Sequence, residues 1–181
     1  MSDDDRACIA FEGLRRLAEG PLDVVRPQVQ AALGRGAAEL LVFDALTSEP
    51  IEIPPAGAAQ RLEVPRRSPG RPKLGVVARE VTLLPRHWEW LARQPGGASV
   101  ALRKLVEDAK RASGGADDAR QARDAAYRFM SAIGGNLPGF EEATRALFRT
   151  DASGFSERLA DWPTDVRSHV QALAARAFAA V

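Results

Sequence analysis

The residues with the clearest chemical potential in this 181-residue chain are basic, and they are concentrated near its middle. Residues 61–112 contain 12 bases and 5 acids, net +7, whereas residues 1–60 contain 5 bases and 10 acids, net −5. Residues 113–181 contain 8 bases and 9 acids, net −1. A local positive field of this kind attracts anions. It indicates as partner either nucleic acid, an acidic protein surface, or the acidic N-terminal third of the same chain.

Eight residues in this basic region are predicted to contact DNA. Phosphates would be bound by cationic side chains and by the free backbone N–H groups of Ala98 and Ser99 at the start of a helix. Thr82 would reach a base edge. The predicted cationic contacts are Arg66, Arg67, Arg71, Lys73 and Arg79.

The sequence contains none of the common motifs for catalysis or metal binding. His87 and His169 are the only histidines, no HExxH or CxxC occurs, and Cys8 is the single cysteine, so we predict surface or capping histidines rather than metal ligands. No nucleophile elbow, phosphate loop or GxGxxG motif is present. Glu141 and Glu142 are adjacent, which suits the first turn of a helix better than a catalytic pair. We predict a protein that is not an enzyme and has no cofactor.

The elements that must position the basic residues are a strand and two helices. Residues 76–84 are rich in β-branched residues and predict a strand that ends at Pro85. A helix is predicted from Pro85 to Pro95, followed by a turn at Gly96 and Gly97. Ser99 is the predicted N-cap of a second helix with an apolar stripe at i, i+3, i+4 and i+7, formed by Leu102, Leu105, Val106 and Ala109.

Two tryptophans on the first of these helices predict a further surface. Trp88 and Trp90 are two positions apart, so they point in nearly opposite directions, and if one enters a core the other needs a second cover. An apolar strand left as a free edge is also an aggregation hazard. The unpaired strand and the tryptophans together predict a homodimer.

The rest of the chain predicts an α+β protein. Residues 1–54 form a small ββαββ unit, with a hairpin around Gly13, a helix after Pro21, a strand over residues 39–44 and an edge strand over residues 51–53. Residues 55–75 are a basic linker rich in Pro, Gly and Arg, and residues 76–112 contain the strand and two helices. After a break at 113–118, residues 113–181 form a bundle of four helices.

Composition and the N-terminal residues indicate a cellular compartment. No apolar run approaches the roughly 20 residues needed to cross a bilayer, and the N-terminus is acidic, unlike a secretory signal. One cysteine fits a reducing compartment. We therefore predict a cytoplasmic protein with no membrane partner.

Two short segments resemble known DNA-binding elements. Residues 76–112, through LLP before the first helix and GASVALRKLVEDA around the second, resemble the ribbon-helix-helix fold of the Arc and MetJ repressors. That resemblance implies a dimer whose paired strands enter the major groove. In the linker, RRSPGRPK resembles the AT-hook, a minor-groove element, through Gly70, Arg71 and Pro72, although Pro69 replaces its leading arginine.

Over nearly its full length the chain is also similar to a bacterial family known as domain of unknown function 2239. The shared pieces are AFEG at residues 10–13, VFD at 42–44, the block GRPKLGVVAREVTLLPRHWEWLARQPGGAS, GNLPGFEEATRALF at 135–148 and WPTDVRSH at 162–169. The family resemblance implies no established activity. The leading interpretation is a dimeric DNA-binding protein, either a transcriptional regulator or a nucleoid-associated protein. The alternative is a non-enzymatic interaction or scaffold protein whose basic segment docks on an acidic surface.

Overall fold

The computed structural model describes residues 6–55 and 79–179. Three strands and one helix come first, and helices follow, which makes this an α+β protein as predicted. In chain order the elements are β1 (Ala7–Glu12), β2 (Arg15–Pro21), α1 (Leu22–Gly34), β3 (Leu40–Asp44), α2 (Pro85–Ala92), α3 (Gly97–Ile133), α4 (Phe140–Phe148), α5 (Ala152–Arg158) and α6 (Thr164–Phe178).

The chain divides into two compact units. The described residues of the first unit are 6–55 and 115–179, and they contain the sheet, α1 and the helices from the C-terminal part of α3 onward. The described residues of the second unit are 79–114, which contain α2 and the N-terminal part of α3.

The sheet is antiparallel with strand order β2-β1-β3, so β1 is central. β1 and β2 form the predicted hairpin, with Glu12 opposite Arg15. Gly13 occupies a left-handed conformation in its turn, with φ +56°, which favours glycine. The Gly13 N–H donates to the carbonyl oxygen of Glu39 at 2.8 Å, which ties this turn to the start of β3.

One face of the sheet is covered by α1, the helix predicted after Pro21. Its apolar residues recur at helical spacing, and Leu22, Val25, Val29 and Ala32 are buried. They pack with sheet residues that alternate along the strands, which include Cys8, Ala10 and Val42.

The opposite face of the sheet packs on the C-terminal helices of the same unit. Ile9, Phe11 and Phe43 join a core built around Phe129 of α3. The Phe129 ring centroid lies 5.2 Å from that of Phe11 and 5.3 Å from that of Phe43, within the range of favourable aromatic pairs. The helices add further buried side chains, among them Leu147, Phe155, Leu159, Trp162, Val166 and Val170.

α3 ends at the predicted glycine pair Gly134 and Gly135, whereas Gly154, predicted to be a break, lies inside α5, and the end of α3 requires glycine for packing. A β-carbon on Gly134, just after α3, would lie 2.7 Å from the ring of Trp162, closer than atoms can approach. The Trp162 indole N–H donates to the carbonyl oxygen of Pro138 at 2.8 Å. The large ring is therefore buried with its polar atom satisfied.

Two predicted features of the secondary structure are wrong. Residues 51–53 are not a strand: the Ile51 N–H donates to Val42 at 2.8 Å and a single bridge joins Phe43 to Pro50, but Pro54 and Pro55 have no N–H with which to continue the ladder. Nor is there a break at residues 113–118, because α3 runs through them. Glycine in a helix costs about 1 kcal/mol relative to alanine, which weakens a helix without preventing it.

A buried carboxylate fixes the loop after β3. Asp44 accepts hydrogen bonds from Arg6 Nε at 2.5 Å and from the N–H groups of Leu46 at 2.9 Å and Thr47 at 2.7 Å. Burial alone would raise the pKa of Asp44, but the hydrogen bond from Arg6 and those from the loop outweigh it and lower the pKa below its ordinary value.

His169 is buried in the core, which corrects the prediction of a surface or capping histidine. Its ring centroid lies 4.6 Å from that of Phe129 and 6.1 Å from that of Phe11, and its Nε2 has no hydrogen-bond partner within residues 6–55 and 79–179. Burial lowers the pKa of His169 to about 4; Glu19 on β2 opposes this effect and Arg16 adds to it. His169 is therefore neutral at pH 7.

This buried histidine should make stability depend on pH. His169 binds a proton near pH 6.5 in the unfolded chain but only near pH 4 in the folded chain. The contribution of the neutral, buried His169 to the free energy of unfolding is therefore fully present above pH 6.5 and is lost as the pH falls toward 4. At about 1.4 kcal/mol per pKa unit, the expected loss is about 3 kcal/mol by pH 4. Urea unfolding at pH 7, 6 and 5 should show this loss in the wild type and a shallower one in His169→Phe.

The exposed histidine provides the control. His87→Gln should retain the full pH dependence of the wild type, since its side chain lies at the surface. Equal pH dependence in the wild type and in His169→Phe would contradict the assignment of the effect to His169.

Candidate nucleic-acid interface

The candidate interface lies in residues 79–114, which we call the basic hairpin. Pro85 is the first residue of α2, a position whose backbone N–H has no partner within a helix. Leu84, the N-cap before it, has φ −66° and ψ 149°. Between the helices, Gly96 and Gly97 have φ of +82° and +75°. These left-handed conformations reverse the chain from α2 into α3, as the turn prediction required.

The strand predicted over residues 76–84 is not present in its described part. Residues 79–84 have no regular secondary structure, and all except Leu83 are exposed. A strand is assigned only where its backbone is hydrogen-bonded to a neighbouring strand, and residues 79–84 have no such neighbour in the described part of the chain. Leu84 has polyproline II dihedral angles, which the following Pro85 favours, so its conformation is not evidence of a strand.

α3 begins three residues earlier than predicted, because Ser99 as N-cap would make Val100 the first helical residue. α3 begins at Gly97, so Ala98 and Ser99 lie in its first turn and Ser99 is not the N-cap, because the glycine turn leads directly into the helix. The first N–H groups of a helix have no partner within it. No acidic residue occupies this first turn, so the positive end of the helix dipole is not neutralised there.

The predicted cations are only partly within the described chain. Arg66, Arg67, Arg71 and Lys73, with the AT-hook-like segment, lie outside the described residues, whereas Arg79 and Thr82 are both exposed. The basic hairpin carries 7 bases and 4 acids, net +3. Five of its bases are exposed and form no ion pair with a described residue: Arg79, Arg86, Arg93, Arg103 and Lys104.

The remaining bases of the hairpin are paired within α3. Lys110 lies 3.9 Å from Glu107, and Arg111 lies 3.3 Å from Asp108. Exposed pairs of this kind contribute about 0–1 kcal/mol. The unpaired positive charge is therefore concentrated toward the N-terminal side of the hairpin, on the same side in sequence as Ala98 and Ser99.

The basic hairpin exposes large apolar side chains that the sequence patterns did not identify as exposed. Trp88 is 41% exposed and Trp90 is 51% exposed, so neither side chain is buried in the described chain. Leu91 is the residue of α2 that is buried. The short length of α2 explains this, since eight residues offer one narrow buried stripe.

The adjacent carboxylates of α4 are explained by the helix that holds them. Glu141 and Glu142 lie in the first turn of α4, as their dipole preference predicted, and both pair with Arg145, at 3.1 Å and 3.3 Å. Among residues 6–55 and 79–179, no group of three or more His, Cys, Asp or Glu side chains is arranged to hold a metal ion. No helix in these ranges is both long and apolar enough to cross a membrane.

The fold and the basic hairpin define a mixed α+β protein with an exposed cationic helix pair. The model of one family, described as an uncharacterized protein conserved in bacteria (DUF2239), matches residues 7–174. The chain therefore belongs to the DUF2239 family. No curated protein and no solved structure matches it.

The glycine turn of the hairpin can be tested directly. Gly96→Ala places a methyl group 3.1 Å from Val100 on a backbone with φ +82°, and the left-handed conformation alone costs about 1–2 kcal/mol for an L-residue. We expect faster hydrogen exchange of the α2 amides in this variant. The matched control is Gly115→Ala, where nothing lies within 4 Å and the helix should gain up to about 1 kcal/mol. Unchanged exchange in Gly96→Ala would contradict the turn geometry.

Proposed function

We propose that this protein binds DNA as a homodimer through residues 66–99, and that it acts in the cytoplasm as a transcriptional regulator or a nucleoid-associated protein. The observation that carries the proposal is a group of five exposed bases within residues 79–104 that form no ion pair with a described residue. Cations without internal partners are available to neutralise phosphates, and this electrostatic term dominates non-specific DNA affinity.

The start of α3 supports phosphate binding at a defined position. The amides of Ala98 and Ser99 lie in the first turn, behind two glycines that have no side chain to block an approaching oxygen. By contrast, α4 and α6 have Glu141, Glu142 and Asp165 in their first turns. The free amides of α3 would position the protein on the DNA backbone without reading sequence.

The extended segment before α2 supports a role in groove contact. Residues 79–84 are exposed on most of their surface and are not paired with another described strand. Two such segments from two chains could pair as a ribbon, which is one of the elements that fit the major groove. Thr82 would then contact bases, while Glu80 would accept from a cytosine amino group but repel phosphate.

A second candidate is a protein-interaction or scaffold function. The exposure of Trp88 and Trp90 favours it, because aromatic residues are enriched at protein interfaces. In this alternative, the basic hairpin would dock on an acidic protein surface rather than on DNA.

Fluorescence anisotropy with a labelled 30-base-pair duplex, titrated between 50 and 300 mM NaCl, tests the DNA proposal. Arg79→Ala with Arg86→Ala should weaken binding about equally for all sequences and lower the slope of log K against log salt by about 2, one for each lost phosphate contact. Thr82→Ala should cost about 1–3 kcal/mol on preferred sequences only.

The matched control removes two exposed arginines of the other unit. Arg35→Ala with Arg149→Ala changes the net charge by the same amount, and both side chains are exposed without an ion pair in the described chain, so DNA affinity should change little. No binding at 50 mM NaCl would reject the DNA proposal. An equal loss in the control pair would show that only net charge matters.

A further inference from the structure

We propose that a groove beside Trp90 binds an unpaired base of single-stranded DNA, which stacks on the Trp90 ring while cations on both sides of the ring hold the neighbouring phosphates. This deepens the proposed function by naming a form of DNA that the basic hairpin takes. It rests on the proposed DNA binding and not on the proposed dimer. Every residue of the groove lies within the basic hairpin, in the second unit.

The groove combines apolar walls with a few polar groups. It has a volume of about 310 Å³, within the range of small-ligand sites in proteins. The half-exposed ring of Trp90 lines it from α2, and the half-exposed side chains of Val100 and Leu105 line it from α3. Its polar lining comes from Gln94, Lys104 and Asp108. A planar ligand with an apolar face and hydrogen-bonding edges fits a groove of this composition.

Cations flank Trp90 on both sides along α2. Arg86 precedes Trp90 by four residues and Arg93, the C-cap, follows it by three, so at about 100° per residue the three side chains lie within about 60° of one another. Each arginine is therefore about one helical turn from the ring. Lys104 adds a third cation from the α3 wall. None of these three cations forms an ion pair with a described residue.

The carboxylates near the groove do not cancel this positive charge. Residues 85–105 contain four bases and one acid, Glu89, net +3. Glu89 lies about 100° from Trp90 around α2. Asp108 lines the groove itself and pairs with Arg111 at 3.3 Å. A carboxylate at this position would accept a hydrogen bond from the amino group of a base rather than contact phosphate.

The arrangement of ring and cations identifies the occupant. Each internal base of a DNA strand lies between two phosphates, so cations before and after one exposed ring match the order of groups along the strand. Surfaces that bind single strands combine a positive groove with aromatic side chains on which bases stack. In a duplex, neighbouring bases cover both faces of an internal base, so only a base outside the stack reaches the ring. An acidic peptide would complement the cations but leave the ring without a stacking partner.

Tryptophan fluorescence of the full chain, titrated with a 12-nucleotide oligo(dT), tests the stacking. Stacking on a base quenches indole emission, so the wild type should be quenched. Trp90→Leu should lose this quenching, although Trp88 and Trp162, the other tryptophans of the chain, remain. The matched control is Trp88→Leu, which removes a similarly exposed ring that does not line the groove and should keep the quenching.

An abasic strand of the same length separates stacking from charge, because it keeps the phosphates and lacks the bases. In fluorescence anisotropy at 50 mM NaCl, the wild type should bind labelled oligo(dT) about 5- to 150-fold more tightly than the abasic strand, the range expected for one stacked base. Trp90→Leu should bind both strands with about equal affinity. The wild-type comparison needs no variant, so it holds even if a substitution disturbs folding.

The flanking cations are tested by the salt dependence of oligo(dT) binding. Arg86→Gln with Arg93→Gln should lower the slope of log K against log salt by about 1.4, since each phosphate contact to a single strand contributes about 0.7. Arg35→Gln with Arg149→Gln removes the same charge from exposed positions of the first unit and should leave the slope unchanged. An equal decrease in both pairs would contradict the assignment of Arg86 and Arg93.

Two outcomes would overturn the groove as a base site: equal wild-type affinity for oligo(dT) and the abasic strand, or full quenching in Trp90→Leu. Emission of Trp90 that changes with protein concentration in the absence of DNA would assign the groove to a second copy and would also overturn it. Duplex binding without preference for oligo(dT) over the abasic strand would reject only this inference. Quenching by oligo(dT) in a protein that does not bind the duplex would support the groove and reject only duplex binding.

Discussion

The first unit depends on one strand that is buried on both faces. Along β1, Cys8 and Ala10 face α1, while Ile9 and Phe11 face the C-terminal helices. Because side chains alternate across a strand, this short apolar run joins two cores that are far apart in sequence. The small side chains lie under α1, and the large ones meet Phe129 and His169. Neither the β1–β2 hairpin nor the C-terminal helices alone would have a complete core.

Local patterns in the sequence were enough to predict most elements of this unit. The spacing of Leu22, Val25 and Val29 predicts α1, and the C-terminal helices follow from their aromatic faces and the glycines between them. The environment of His169 was not predictable, because the rings around it come from other elements: Phe129 of α3 is 40 residues away in sequence, and Phe11 of β1 is 158 residues away. A helical period shows which face is buried but not which partner covers it.

The errors in the basic hairpin have a different cause. Residues 79–84 and Leu105 carry the apolar and β-branched residues of a strand and a core-facing helix, yet the single chain leaves most of them exposed. Such patterns record the final environment of a residue, including any partner, while the structure describes one chain. An apolar or β-branched pattern therefore does not by itself show that the same chain covers the residues that carry it.

The proposed dimer and its proposed DNA binding would be linked thermodynamically. Ala98, Ser99 and Arg79 of each chain would contact phosphate. Each dimer would then present two sets of cationic contacts, and the second set would bind at the high effective concentration set by the first. Since a ligand that binds only the dimer also stabilises it, DNA would strengthen the association of the chains, and the two equilibria would be coupled by mass action. The basic hairpin carries a net charge of only +3 in one chain, so in the proposed dimer the two sets of exposed bases would together give a higher DNA affinity than either set alone.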